Sequence, residues 1–171
     1  MARTLGTHDP VVGVGPARPL RVLLVDDHEL ARTAAKLRLR RGPGLDVVGE
    51  ARSGDEALSE SDRVVPDVVV VNAASTSWDG TEVTRAVLAR HPGTRAVVVT
   101  DTGGRDAVVA CLASGAAGYV ARTDGPTELA RVVRLVGEGG STLHPAASAW
   151  VEQMRAAEAG PSAPVSLVSS R

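Results

Sequence analysis

The sequence contains little that would point to an extracellular, membrane-bound or nucleic-acid-binding protein. A single cysteine, Cys111, excludes an internal disulfide, and the apolar run around it predicts a small buried side chain and a cytoplasmic protein. No stretch approaches the ~20 apolar residues of a membrane span, and no signal-peptide core is present near the start. With 19 basic and 20 acidic residues, the net charge of -1 provides no field for holding nucleic acid.

Short valine-rich runs alternate with helical patterns through the middle of the chain. The third and fourth runs are apolar at nearly every position, which a strand tolerates only when both of its faces are covered. The alternation therefore predicts a doubly wound, flavodoxin-like α/β domain with a five-stranded parallel sheet over residues 20–140. The predicted strands are Arg21–Val25, Leu45–Ala51, Val68–Val71, Ala96–Thr100 and Gly118–Ala121.

Helix boundaries are marked by residues with specific capping roles. Pro126 is predicted to occupy the first turn of the last helix of the domain, and Gly115 is predicted to end the helix before the fifth strand in a left-handed conformation. Two pairs have the spacing in which a side chain caps free backbone amides, and so predict helix starts: Ser53 with Glu56, and Asp79 with Glu82.

Three further segments flank the predicted domain. Residues 1–19 lack periodicity and are predicted to be a flexible leader. Residues 141–160 are predicted to hold one more helix, with Trp150 and Met154 on one face, and residues 161–171 read as a linker.

Polar side chains follow several of the predicted strands at their carboxyl ends, which in this architecture lie at one edge of the sheet and form the usual ligand site. They are Asp26, Asp27, Asn72, Thr100 and Arg122. Two adjacent carboxylates at a strand end are a common way to hold Mg²⁺. A lone Asp-Asp pair is more often just part of a polar loop, but the whole set together favours a functional pocket.

These residues lie within a stretch of sequence that resembles the receiver domain of bacterial response regulators, specifically the NarL/FixJ group. The resemblance covers roughly residues 20–145 and implies the strand order 2-1-3-4-5. The matching stretches are Arg21-Val22-Leu23-Leu24-Val25-Asp26-Asp27-His28-Glu29-Leu30, Val47-Val48-Gly49-Glu50-Ala51, Pro66-Asp67-Val68-Val69-Val70-Val71, Asp79-Gly80 and Ser114-Gly115-Ala116-Ala117-Gly118-Tyr119-Val120.

The resemblance implies a role for each residue of the predicted pocket. Asp26 and Asp27 correspond to the acidic pair that helps to hold Mg²⁺. Thr100 corresponds to the hydroxyl that contacts the phosphoryl group, and Tyr119 to the aromatic switch. The family's phosphate-accepting aspartate is replaced by Asn72, and its lysine by Arg122.

The two replacements predict a receiver that works without phosphorylation. An amide is a poor nucleophile, so Asn72 is not expected to accept phosphate. Removal of a carboxylate also removes a metal ligand, so Mg²⁺ is expected to bind weakly if at all, and no cofactor is required. Arg122 is not equivalent to lysine in a tight phosphoryl site. Lys36 is the only lysine in the chain, so a general bias towards arginine also explains the presence of Arg122 as simple drift. The loop after Asn72 also departs from the family, and its Trp78 is either half-buried or an anchor for a partner.

Three functions remain open at this point, and none of them is enzymatic. The chain is predicted to be the regulatory part of a NarL/FixJ-type transcription regulator whose DNA-binding domain is not in this chain, because the final Val168-Ser169-Ser170-Arg171 weakly resembles the opening of that domain. The alternatives are a complete single-domain adaptor that binds a protein partner, and a receiver gated by a small ligand. A symmetric homodimer is expected in each case.

Overall fold

The structure is a computed structural model that describes residues 18–101 and 105–141. Most of the predicted leader, the predicted C-terminal helix with Trp150 and Met154, and the predicted linker lie outside the described residues. The described elements are β1 (Leu20–Val25), α1 (Glu29–Arg40), β2 (Leu45–Ala51), α2 (Gly54–Val64), β3 (Val68–Asn72), α3 (Gly80–Arg90), β4 (Arg95–Thr100), α4 (Arg105–Ala113), β5 (Gly118–Ala121) and α5 (Glu128–Gly137).

The five strands form one parallel sheet in the order β2-β1-β3-β4-β5. This confirms the predicted fold class, and each predicted strand differs from the observed one by at most one residue. The additional residues are Leu20 in β1, Asn72 in β3 and Arg95 in β4. The prediction succeeded because the apolar runs of the sequence coincide with the buried strands.

Helices cover both faces of the sheet, which accounts for the unbroken valine runs. Along β3, Val68 and Val70 pack in one cluster with α1 and α5, whereas Val69 and Val71 pack in a second cluster with α2 and α3. Successive side chains of a strand point to opposite faces, so a strand covered on both sides needs an apolar residue at every position.

A third, smaller cluster lies under α4 and contains Cys111 and Tyr119. Cys111 is 2% exposed, which confirms the expectation of a buried thiol. Burial raises the pKa of this thiol from 9.0 to about 12. The thiol is therefore protonated at neutral pH and serves as a small apolar group.

The capping residues at the starts of α2 and α3 act as predicted. The Ser53 hydroxyl accepts a hydrogen bond from the Glu56 amide at 3.2 Å. The Asp79 carboxylate accepts bonds from the amides of Thr81 and Glu82 at 2.8 and 3.3 Å. These amides have no partner inside their own helices, so each cap stabilises a helix start.

The predicted roles of Gly115 and Pro126 have different outcomes. Gly115 has the expected left-handed backbone, with φ of 86°, just after α4. The prediction that Pro126 lies in the first turn of α5 is wrong, because the helix begins two residues later at Glu128. The Glu128 amide donates to the Gly125 carbonyl at 3.0 Å, so Pro126 lies in a tight turn before the helix. The fixed φ of proline suits that turn position equally well.

Two further observations concern the start of the described region and the lengths of its helices. Arg18, which was expected to belong to the flexible leader, forms an ion pair with Asp67 at 2.7 Å, and this contact holds the pKa of the Asp67 carboxyl below its usual range. Among the described residues, no helix combines the length and apolar character needed to cross a membrane.

Candidate functional site

Parallel topology brings the polar strand ends to one edge of the sheet, as predicted. The carboxyl ends of β1, β3 and β5 present Asp26, Asn72 and Arg122, and the side chains of Asn72 and Arg122 each lie within hydrogen-bond distance of Asp26. They come from strands that are far apart in sequence, so only the completed sheet assembles this cluster. We refer to these three residues as the edge cluster.

Asp26 is the centre of the edge cluster. Its Oδ1 accepts hydrogen bonds from Asn72 Nδ2 at 3.1 Å and from the His28 amide at 2.9 Å. Its Oδ2 accepts from Arg122 Nη2 at 3.1 Å. The residue is only 9% exposed, so these donors replace most of the water that would otherwise solvate the carboxylate.

Arg122 bridges two carboxylates at the mouth of the site. In addition to its bond with Asp26, its Nε lies 2.7 Å from Oδ1 of Asp101. This second contact is an ion pair and not a well-aligned hydrogen bond, because the buried Nε finds no acceptor in hydrogen-bond geometry among the described residues. The guanidinium therefore supplies positive charge directly beside the buried Asp26.

The loop after β3 is held by side chains of the same region. Asn72 Oδ1 accepts from the Ala74 amide at 3.0 Å, so both ends of the Asn72 amide group are engaged. The Ser75 hydroxyl donates to Asp27 Oδ2 at 2.8 Å. Gly80, the first residue of α3, allows the helix to start close by, because a Cβ there would lie 2.8 Å from the Asn72 carbonyl oxygen.

Thr100 and Tyr119 form a second, uncharged pair at the same edge. Their hydroxyl oxygens are 2.9 Å apart, and the two residues are 5% and 3% exposed. Burial is the largest influence on the Tyr119 phenol and raises its pKa, so the phenol is protonated at neutral pH. The Thr100 hydroxyl is thus engaged with Tyr119, a contact that its position at a strand end could not predict.

The structure adds residues to the site that the sequence reading did not place in it. Ser75 contacts Asp27, Asp101 contacts Arg122, and Arg32 of α1 donates to the Asp26 backbone carbonyl at 2.7 Å. Asp101 directly follows Thr100, so its place next to the pocket was a usable signal. The contribution of Arg32 depends on how α1 packs across β1, which no local pattern reveals.

Trp78 is half-buried and packs against the second core cluster, as Leu58 and Leu88 also do. Its indole Nε1 is shielded from solvent and has no hydrogen-bond acceptor among the described residues. The contacts favour the packing role over an exposed anchor.

Two cavities meet at the edge cluster. An inner one of about 50 Å³ lies between the sheet, α1 and α5, and an outer one of about 450 Å³ opens to solvent. Both are lined in part by Asn72 and Arg122, and the outer one also by Asp27, His28 and Asp101. A small polar group can therefore reach Asn72 and Arg122 from solution.

A tightly held divalent cation does not fit the edge cluster as it stands. Mg²⁺ takes an octahedral shell of oxygens, usually with carboxylates among them, but both Asp26 oxygens already accept N–H donors. Across residues 18–101 and 105–141, no group of three or more His, Cys, Asp or Glu side chains is placed to hold a metal ion. Asp27, bonded to Ser75, is half-buried at this edge, whereas Asp101, paired with Arg122, is an exposed carboxylate.

The fold and this arrangement of strand ends define a receiver-type signalling domain. Residues 22–134 match the family described as the response regulator receiver domain, and the chain belongs to this family. It is therefore the receiver domain of a two-component response regulator.

Similar proteins place the chain near the NarL/LuxR group. It is 38% identical over 126 residues to the response regulator GacA of Pseudomonas viridiflava, covering 74% of this chain and 59% of that protein. It is also 38% identical over 139 residues to the DNA-binding transcriptional activator DevR/DosR of Mycobacterium tuberculosis, covering 81% and 64%. This chain thus spans about three fifths of the length of these relatives.

Solved structures give the same grouping. A LuxR-family two-component response regulator from an Aurantimonas species aligns with a TM-score of 0.74 at 28% identity, covering 81% of this chain and 99% of that chain. The receiver domain of the NarL response regulator of Mycobacterium tuberculosis aligns with a TM-score of 0.66 at 30% identity, covering 71% and 98%. The names of these relatives describe regulators and not enzymes.

Proposed function

We propose that this receiver regulates its output without accepting a phosphoryl group, and that it belongs to a NarL/LuxR-type transcription regulator. The observation that carries the proposal is the internal neutralisation of Asp26. Asn72 and Arg122 supply to its carboxylate the donors and the positive charge that a bound cation would otherwise supply.

Asn72 lacks the chemistry needed for phosphate capture. Covalent transfer needs an oxygen nucleophile with a full negative charge, and the amide oxygen of Asn72 carries none. That oxygen also accepts the Ala74 amide, while Nδ2 donates to Asp26. The side chain therefore acts as a structural link between β1 and the loop after β3.

Mg²⁺ is not required for this state, and binds weakly if it binds at all. A cation approaching Asp26 must displace Arg122 or Asn72 and meets the guanidinium charge at close range. An ion pair that already satisfies a largely buried carboxylate is costly to separate.

The proposed regulator binds DNA through a domain other than this receiver. One relative is named a DNA-binding transcriptional activator, and the relatives extend beyond the region that they share with this chain. The net charge of -1 gives this chain no overall positive field of the kind that attracts duplex DNA. A non-enzymatic role, a cytoplasmic location and regulation by a protein partner or by self-association as a homodimer complete the proposal.

Treatment with acetyl phosphate and Mg²⁺, followed by intact-mass spectrometry, tests the proposal. The unmodified protein is expected to gain no phosphoryl mass. Asn72→Asp together with Arg122→Lys restores a carboxylate nucleophile and a compact cation, and this variant is expected to gain phosphoryl mass slowly. Adding Asp26→Asn to that variant is the matched control and is expected to abolish the gain.

Metal binding gives an independent measurement on the same proteins. Mg²⁺ is expected to raise the melting temperature of the variant with Asn72→Asp and Arg122→Lys and not that of the unmodified protein, because a ligand stabilises the folded state that it binds. A phosphoryl adduct on the unmodified protein, mapped to this edge of the sheet, would show that the receiver still uses phosphate.

A further inference from the structure

A groove outside the edge cluster carries a concentration of arginine. It has a volume of about 390 Å³ and lies between the end of α1, the following loop and α5. Apolar surface dominates its lining, and its residues are Arg38, Arg41, Gly42, Pro43, Pro126, Thr127, Ala130, Arg131 and Arg134. We call it the arginine groove.

The four arginines reach the groove in two pairs. Arg38 and Arg41 are three residues apart at the end of α1, and Arg131 and Arg134 are three residues apart on α5. This spacing places each pair on one side of its helix, where like charges destabilise each other. The helix dipole favours a cation at the end of α1, but it does not account for four around one groove.

Most of this charge has no acidic partner in the described residues. Arg131 is paired with Glu128 at 2.6 Å, whereas no ion pair involves Arg38, Arg41 or Arg134 in residues 18–101 and 105–141. Arg134 also has a buried Nε with no hydrogen-bond acceptor there. A buried donor without an acceptor calls for an explanation in a native fold.

An incoming anion supplies the missing negative charge. A guanidinium binds carboxylate and phosphate groups through paired N–H donors. Grooves of this size, with mostly apolar walls and a few charged groups, are typical of sites for small organic molecules. The walls favour an apolar body, and the arginines favour an anionic head.

We propose that the arginine groove binds a small organic anion with an apolar body and a carboxylate or phosphate head. The inference does not depend on the chemistry of Asn72. Arg38 also borders the inner cavity beneath the edge cluster, so the two sites share one side chain.

Titration calorimetry with 1-naphthyl phosphate tests this proposal, using the full chain. We expect it to bind more tightly than inorganic phosphate, which lacks the body, and than 1-naphthol, which lacks the head. A parallel titration with 1-naphthoic acid distinguishes a preference for phosphate from one for carboxylate. Arg38→Gln and Arg134→Gln are each expected to weaken binding by about tenfold or more.

The matched control is Arg85→Gln, which removes the same charge from an exposed position on α3, across the sheet from α1 and α5. It is expected to leave the affinity unchanged. An equal loss in all three variants would mean general charge attraction and would overturn the proposal. Binding of an oligoglutamate peptide through Arg38 and Arg134, without binding of naphthyl phosphate, would also overturn it in favour of an acidic protein segment.

Discussion

Inside the sheet, β3 presents four consecutive valines that are each at most 3% exposed, and each packs into a cluster of similar side chains. One residue further along the same strand, Asn72 is nearly as buried but makes two directed hydrogen bonds, to Asp26 and Ala74. The interior of the sheet and Asn72 at its carboxyl edge are thus almost equally enclosed. They differ in what each side chain must provide.

The interior requires volume, whereas the edge requires particular atoms. A buried apolar side chain can be exchanged for another of similar size at a cost usually below about 1.5 kcal/mol. A substitution that leaves a buried polar atom without its hydrogen-bond partner lowers the free energy of unfolding by about 1–3 kcal/mol, whatever the volume of the new side chain. Valine runs therefore define the scaffold, and the identities of Asp26, Asn72 and Arg122 define the site.

The largest expected effect tests the interior. Leu23 is fully buried in β1, within the cluster that α2 and α3 cover. Leu23→Ala is expected to lower the free energy of unfolding by about 2–5 kcal/mol, because it removes buried methyl groups and leaves a cavity. Urea denaturation measures this loss.

The control for this substitution is Leu23→Met, which roughly conserves the volume and is expected to cost less than about 1.5 kcal/mol. Equal losses from both substitutions would show that the interior, like the edge, depends on the identity of its side chains.

The same difference explains how far the sequence predicted the structure. Strand positions and helix caps depend on local patterns, so the runs at Val68–Val71 and Ala96–Thr100 and the caps at Ser53 and Asp79 were read correctly. An unbroken valine run indicates that both faces of the strand are buried. The fold class could be predicted for this reason, whereas the strand order was implied by the resemblance to receiver domains, and both were confirmed.

Side-chain partners across the edge could not be read in the same way. The sequence placed Thr100 and Arg122 at strand ends, but their contacts with Tyr119 and Asp101 depend on rotamers chosen among several nearby groups. Pro126 was misplaced because a proline suits both a helix start and the turn before it. Local patterns fix where a residue lies more reliably than which atom it binds.

Cys111 is an interior residue with a titratable group, so it sharpens the comparison. Burial raises its pKa from 9.0 to about 12, and the folded state therefore holds the proton more tightly than the unfolded chain does. The stabilisation that comes from this tighter proton binding is intact below pH 9 and is lost as the pH rises towards 12. Between these limits, the free energy of unfolding is expected to fall by about 1.4 kcal/mol per pH unit.

Denaturation between pH 8 and 10 in the unmodified protein and in Cys111→Ala measures this slope. The range stays at or below the ordinary pKa of tyrosine, 10.0, since the pKa of Tyr119 is raised in the same direction. The variant is expected to lose some stability at every pH through the missing sulfur but to show a flatter decline. Parallel curves for the two proteins would mean that the thiol is not shielded from water.

The smallest expected effect lies at the uncharged part of the edge. The hydroxyls of Thr100 and Tyr119 are 2.9 Å apart and buried, and a neutral hydrogen bond of this kind contributes about 0.5–1.5 kcal/mol. Tyr119→Phe and Thr100→Val each remove one partner while nearly conserving shape. Because each variant also alters other contacts of its own residue, the pair is isolated by a double-mutant cycle, with denaturation of both single variants and the double variant. A coupling of about 1 kcal/mol is expected, since the second substitution finds the Thr100–Tyr119 bond already broken. Additive losses would mean that the two hydroxyls do not stabilise each other, and that the edge at this point resembles the interior in requiring only volume.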